Sequence, residues 1–209
     1  MATNLLELTD YRRRVQHIYQ QVREGAHAPQ AAWAVWAAAR DELLASHPQS
    51  ALTVEQRASF EPLHYYEYDP QWRLLLDWEP EDDGEIFEVP LQEDGLFRMR
   101  RAGVVHFVIG GEECRLSLFW VEGYGGGLFL PFRDASGAIG ESYPGSRYLL
   151  DTIKGADLGS QDGKLVLDFN FAYNPSCAYH HRWHCPLAPQ ENWLPVAVRA
   201  GEKAYLRAE

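Results

Sequence analysis

Val104-Val105-His106-Phe107-Val108-Ile109-Gly110-Gly111-Glu112-Glu113-Cys114-Arg115-Leu116-Ser117-Leu118-Phe119-Trp120-Val121 is the stretch on which the fold turns. Two β-type runs flank a pair of glycines. A two-residue hairpin turn needs positive φ at both positions, and glycine adopts it without steric penalty. The reading is therefore a hairpin, with strands over 104–109 and 113–121. Working outward, Trp72, Leu74, Leu76 and Trp78 alternate with Arg73, Leu75 and Asp77, a period of two. Further strands are expected over 86–91 and 96–101, divided by a turn at 92–95, and over 128–132, 147–152, 164–169 and 195–199. Short strands at close spacing, with no helical period between them, exclude a βαβ sheet. They predict an antiparallel β-sandwich or barrel.

The first 62 residues read differently. Tyr11, Val15, Ile18 and Val22 fall at helical spacing behind Asp10, a candidate cap, and the helix ends near Gly25. Pro29 suits the first turn of a second helix carrying Trp33, Trp36, Ala37, Arg40, Leu43 and Leu44, which His47-Pro48 stops. Thr53 with Gln56 forms a capping box that opens a short third helix. The chain is thus read as one domain over 1–209: a helical annex over 1–62, a β unit over 72–203, and an irregular loop over 170–194. The helices must cover something, either the β unit or, in a homo-oligomer, a second copy.

Bulk properties narrow the function classes. A formal charge of −11 repels phosphate backbones and anionic membranes, and the short clusters Arg12-Arg13-Arg14 and Arg98/Arg100/Arg101 lie beside acids. Neither nucleic acid nor a membrane is an expected partner. No signal-type segment opens the chain, no apolar run reaches membrane length, and three cysteines do not make a secreted disulfide framework. The expected location is the cytoplasm.

Chemistry-bearing residue types gather between Asp168 and Lys203. If 164–171 continues as a strand, Leu165, Leu167, Phe169 and Phe171 share one face and Asp168 and Asn170 the other. The plainer reading is that these two bond the backbone of the following loop. Asn174-Pro175 and Cys185-Pro186 keep that loop irregular. Within it, Cys177 with His181 or His184 and Asp168 would suit a thiol nucleophile. Cys177, His181, His184 and Cys185 are the alternative zinc set, weakened because adjacent residues rarely reach one ion. Cys177 and Cys185 are also placed for a short-loop disulfide, although buried thiols are the commoner outcome. Cys114 reads as packing. Arg147, between Tyr143 and Tyr148, is a candidate anion anchor, or a structural partner of Asp134 or Asp151. Gly123 to Gly127 reads as a turn or flap with no helix to hold a phosphate.

These segments resemble a family. Leu128-Phe129-Leu130-Pro131-Phe132-Arg133-Asp134, Tyr143-Pro144-Gly145-Ser146-Arg147-Tyr148-Leu149, the run from Asp168 to Tyr179, Cys185 to Asn192, and Val198 to Lys203 are similar to domain of unknown function 1684. The resemblance implies a family-sized domain and carries no activity. It implies that Asp168, Asn170, Asn174, Asn192 and both loop cysteines belong to the family pattern, whereas His180, His181 and His184 do not.

The expectation is a small-molecule site at the mouth of the β unit, with Asp168 and Cys177 as catalytic candidates. Arg147, Asn170, Tyr173, Asn174 and Asn192 are the binding candidates; no cofactor is favoured, with zinc as the alternative. The site is read as that of a small-molecule-binding protein or a hydrolytic or thiol-dependent enzyme. The alternatives are a structural or interaction protein whose loop is a plug, or a zinc module.

Overall fold

A computed structural model describes residues 4–92 and 95–205. Helices α1 (Leu5–Glu24), α2 (Pro29–Ser46) and α3 (Val54–Ala58) open the chain. Strands β1 (Arg73–Leu76), β2 (Glu79–Pro80), β3 (Ile86–Pro90), β4 (Leu96–Ile109), β5 (Glu112–Val121) and β6 (Gly127–Phe132) follow. After the short α4 (Ala135–Ala138) come β7 (Arg147–Asp151), β8 (Ser160–Gln161) and β9 (Lys164–Asp168). The fold is α+β and mainly β.

The strands pair antiparallel in two sheets: a larger one ordered β2-β4-β5-β6-β7, with β3 also on β4, and a smaller one ordered β1-β9-β8. The hairpin joins β4 to β5 with Ile109 opposite Glu112, and Gly110 and Gly111 hold φ of 60° and 88°. The two sheets share one core. Val105, Leu116, Leu118, Leu130 and Phe132 of the larger sheet pack with Leu74, Leu76 and Leu167 of the smaller, the sandwich form of the expectation. Phe169 lies at its centre, its ring 5.3 Å from Phe132, 5.8 Å from Phe107 and 6.1 Å from Trp72. Each such side chain contributes about 1.5–3 kcal/mol by leaving water.

The helices cover the β unit. Ile18, Tyr19, Val22, Ala32, Trp36 and Leu43 form a second cluster with Ala156 and Phe171. Pro29 stands at the N-terminus of α2, and the Thr53/Gln56 capping box opens α3.

Four expectations are corrected. The first helix starts at Leu5 because the Asn4 side chain accepts the N–H groups of Leu6 and Glu7; Leu5 and Leu6 stay exposed, so no apolar period announced that turn. Asp10 instead lies within α1 and bonds Arg14 at 2.8 Å and His47 at 3.2 Å. The runs 96–101 and 104–109 form one strand, bent by a bulge between Arg101 and Gly103. A Cβ on Gly103 would meet the Glu79 carbonyl at 2.7 Å. The segment 195–199 is no strand, because its backbone bonds elsewhere: Val198 N–H to Asp134 at 3.0 Å, and the Val198 carbonyl to Arg147 at 2.8 Å. Finally, β9 stops at Asp168 and 169–171 is a 3-10 turn. The turn expected over 92–95 includes Glu93 and Asp94, which lie outside the described residues.

Candidate functional site

Most of the polar residues picked out in the last third are buried and committed to the chain itself. Asp168 accepts the Asn170 backbone N–H at 3.0 Å and its side-chain amide at 2.7 Å, and the Tyr68 hydroxyl at 3.2 Å. Asn170 then grips Asp69 by both main-chain groups, accepting its N–H at 3.1 Å and donating to its carbonyl at 2.8 Å. Asp168 and Asn170 are each 1% exposed. Burial pushes the Asp168 carboxyl up to about 6. A cavity of about 20 Å³ beside it, walled by Val22, Pro29, Ala32 and Phe171, holds no more than one water.

Asn192 accepts Ser117 N–H at 2.8 Å and donates to the carbonyls of Ser117 at 2.9 Å and Pro131 at 2.8 Å, tying its loop across β5 and β6. Asn174 donates to the Lys203 carbonyl at 2.9 Å. Arg147 is paired with Asp134 at 2.8 Å and donates to the carbonyls of Val198, Ala200 and Glu202, its guanidinium 5.1 Å from the Phe132 ring centre. The anion-anchor reading therefore gives way to the structural one, with Asp134 as the partner. These residues hold main chain that has no ladder of its own, as buried backbone groups require.

Asp168 and Cys177, expected to share a hollow, have different bonded neighbours. Tyr68 and Asn170 surround Asp168, while Cys177 accepts from the Tyr143 hydroxyl at 3.5 Å and lies within hydrogen-bonding reach of Cys185. What gathers instead is a second constellation around the turn after β7. Lys154 bonds Asp151 at 2.7 Å; the lysine side chain is 50% exposed and the aspartate 7%. Cys185 and Tyr11 act on the Lys154 ammonium, and Cys185, Tyr173, Cys177 and Asp151 all act on the Tyr148 phenol. Burial is the largest influence on Lys154 and opposes its charge, yet half its side chain meets water. Asp151, with Cys185 and Tyr11 adding to it, outweighs that burial, so the ammonium is held above its ordinary range.

Both loop thiols are half-buried, and neither is disulfide-bonded. Contact with Cys177 pushes the Cys185 thiol up, and burial adds to it. Two adjoining thiols titrate as a pair, and the second proton is held because two thiolates cannot sit side by side. Tyr173, half-buried, is held in its phenol form by burial, and the Arg40 guanidinium lies 4.9 Å from its ring centre. Of the expected residues, Cys177 and Tyr173 lie within electrostatic range of Tyr148 beside this group.

The zinc alternative is not assembled. Among the described residues no three His, Cys, Asp or Glu side chains converge as a metal site. His180 and His181 stack on each other with centroids 4.2 Å apart.

With this geometry in place, a family model described as "Protein of unknown function (DUF1684)" matches residues 58–203. The chain belongs to that family. The DUF1684 match takes in every clamp described above, with Lys154 and both loop cysteines; α1 and α2, with Tyr11 and Arg40, precede it. The solution NMR structure of an uncharacterized protein from Haloarcula marismortui is similar, at 30% identity and a TM-score of 0.60. That likeness covers 86% of this chain and 96% of that one. The chain matches none of the curated proteins.

Sequence reasoning missed Lys154, Asp151, Arg40 and Glu202 as members of the site and its frame. One signal was present. Arg40 falls in the apolar stripe of α2, and a cation there demands a buried partner.

Proposed function

We propose that this DUF1684 chain binds a small molecule beside Lys154 and the loop thiols, with Cys177 and Cys185 as its reactive groups. The observation that carries the reading is Lys154: a half-exposed ammonium paired with Asp151 at 2.7 Å, within electrostatic range of Cys185 and Tyr11. Aromatic walls with a few convergent polar groups are the usual make-up of ligand sites. The ligand class that fits is a small molecule with a hydrogen-bond-accepting or anionic group for Lys154 and a flat or apolar body for the tyrosines. Thiol-dependent chemistry is favoured over hydrolysis, because the Asp168 carboxyl is spent on Asn170 and Tyr68. A reducing compartment such as the cytoplasm suits cysteines that are not disulfide-bonded.

A thermal-shift screen of small metabolites tests this. A hit should raise the melting temperature of the wild type, and Lys154→Met and Tyr173→Phe should remove the shift while each variant still unfolds cooperatively. Hits that shift both variants as much as the wild type would place the ligand elsewhere. For Asp168, Asn170, Asn174 and Asn192 the plug reading is favoured, since all four are buried and bond main chain.

A further inference from the structure

We propose that Cys177 and Cys185 form a reactive dithiol that exchanges with low-molecular-weight disulfides and closes an intramolecular disulfide. This rests on the thiol half of the reading above and stands apart from its ligand half. The site can take a ligand while its thiols stay inert, and the thiols can exchange with no ligand bound.

Three observations carry it. First, the two sulfurs lie within hydrogen-bonding reach although eight positions separate the residues. Second, the segment between them is fixed from outside. The Tyr179 hydroxyl meets Arg40 at 2.6 Å and also bonds Glu202, and Gln56 donates to the Tyr179 carbonyl at 3.0 Å. Trp183 bonds the Ala51 carbonyl at 2.8 Å, and Tyr148 holds the Pro186 carbonyl at 2.6 Å just beyond Cys185. Closure therefore orders little that is not ordered already. Third, the chain supplies its own contrast. Cys114 is buried within β5, where burial raises its thiol, while the pair is partly open to solvent.

The two sulfurs have different parts. The Tyr143 hydroxyl donates to Cys177 Sγ at 3.5 Å, whereas the Cys185 thiol is pushed up by Cys177 and by burial, which assigns the attack to Cys177. Cys177 as thiolate attacks one sulfur of RSSR, a Cys177–SR bond forms, and RS⁻ leaves to take a proton from water. Cys185 then gives up its proton and its sulfur attacks Cys177 Sγ, forming the internal disulfide and releasing a second RS⁻. Two protein thiols are oxidised and one external disulfide is reduced to two thiols. The stacked His180–His181 pair is not required at any step.

The test uses the full chain, reduced and then incubated with oxidised glutathione, followed by intact-mass and peptide mass spectrometry. The wild type should lose two hydrogens, link the peptides carrying Cys177 and Cys185, and leave Cys114 as a thiol. Cys185→Ser should stop at a mixed disulfide on Cys177, and Cys177→Ser should react roughly tenfold or more slowly. If either variant fails to fold, brief iodoacetamide trapping of the wild type serves instead, with Cys177 alkylated before Cys185 and Cys114 last. No internal disulfide, a persistent glutathione adduct on the wild type, or Cys114 modified as fast as the pair would overturn the proposal.

Discussion

Arg40, in the middle of α2, meets Glu202, near the far end of the chain, at 2.9 Å. The same Glu202 oxygen accepts the Asn174 N–H at 2.8 Å, its other oxygen accepts the Tyr179 hydroxyl, and the glutamate is 1% exposed. One carboxylate thus joins the helical annex, the loop and the C-terminal segment. Truncating a partner of a buried pair strands the other charge, at a cost of about 3–5 kcal/mol. Arg40→Met is expected to lose that much in urea unfolding at neutral pH. A loss below about 1 kcal/mol, the value of an exposed pair, would mean that solvent reaches Glu202.

Asp168 makes a pH prediction. Burial raises its folded pKa from 3.8 to about 6, so the native state holds a proton that the unfolded chain has released. The resulting stability is fully present below pH 3.8 and fades as pH rises through about 6. Its size is on the order of 3 kcal/mol. Asp168→Asn should therefore flatten the stability difference between acid and neutral conditions. Denaturation midpoints of wild type and variant that stay parallel across that range would show that Asp168 ionises freely.

Much of the fold could be read in the sequence because its signals were local. Gly110-Gly111, Pro29 and the Thr53/Gln56 box each fix a turn or a helix end through their own backbone chemistry, and all three appear where expected. The site was less legible because its determinants are long-range. Asp168 and Asn170 were picked for their chemistry, and the structure spends that chemistry on Asp69, a residue 101 positions from Asn170. Lys154 drew no notice, since Asp151 three positions earlier is its one local partner and only folding brings Tyr11 and Cys185 within electrostatic range. The last segment failed as a strand because Arg147 and Asp134 take its backbone groups.

Arg147→Lys separates anchoring of main chain from binding of ligand. One ammonium cannot reproduce a guanidinium that meets Asp134 and three carbonyls at once. The variant should be less stable by about 2–4 kcal/mol, by analogy with other broken buried charge networks, and its melting transition should fall accordingly. Ligands found in the thermal-shift screen should raise that lower transition by the same amount as in the wild type. An unshifted melting point with lost ligand response would restore Arg147 as an anion anchor.

Asn192 gives the sharpest case of a side chain standing in for a strand. It lies fully buried, and its amide pairs with both main-chain groups of Ser117 while reaching Pro131 on the next strand. Asn192→Ala leaves these groups inside the protein without that partner, and each unsatisfied group costs about 1–3 kcal/mol. Asn192→Asp keeps the volume and the acceptor but replaces two N–H donors by a carboxylate oxygen facing two carbonyls. At neutral pH it should be the worse of the two, and acid should partly rescue it, because the introduced carboxyl regains one donor once protonated. Chemical denaturation at two pH values reads the ordering directly. An aspartate variant as stable as the alanine one at neutral pH would mean that the carbonyls of Ser117 and Pro131 have turned away to water.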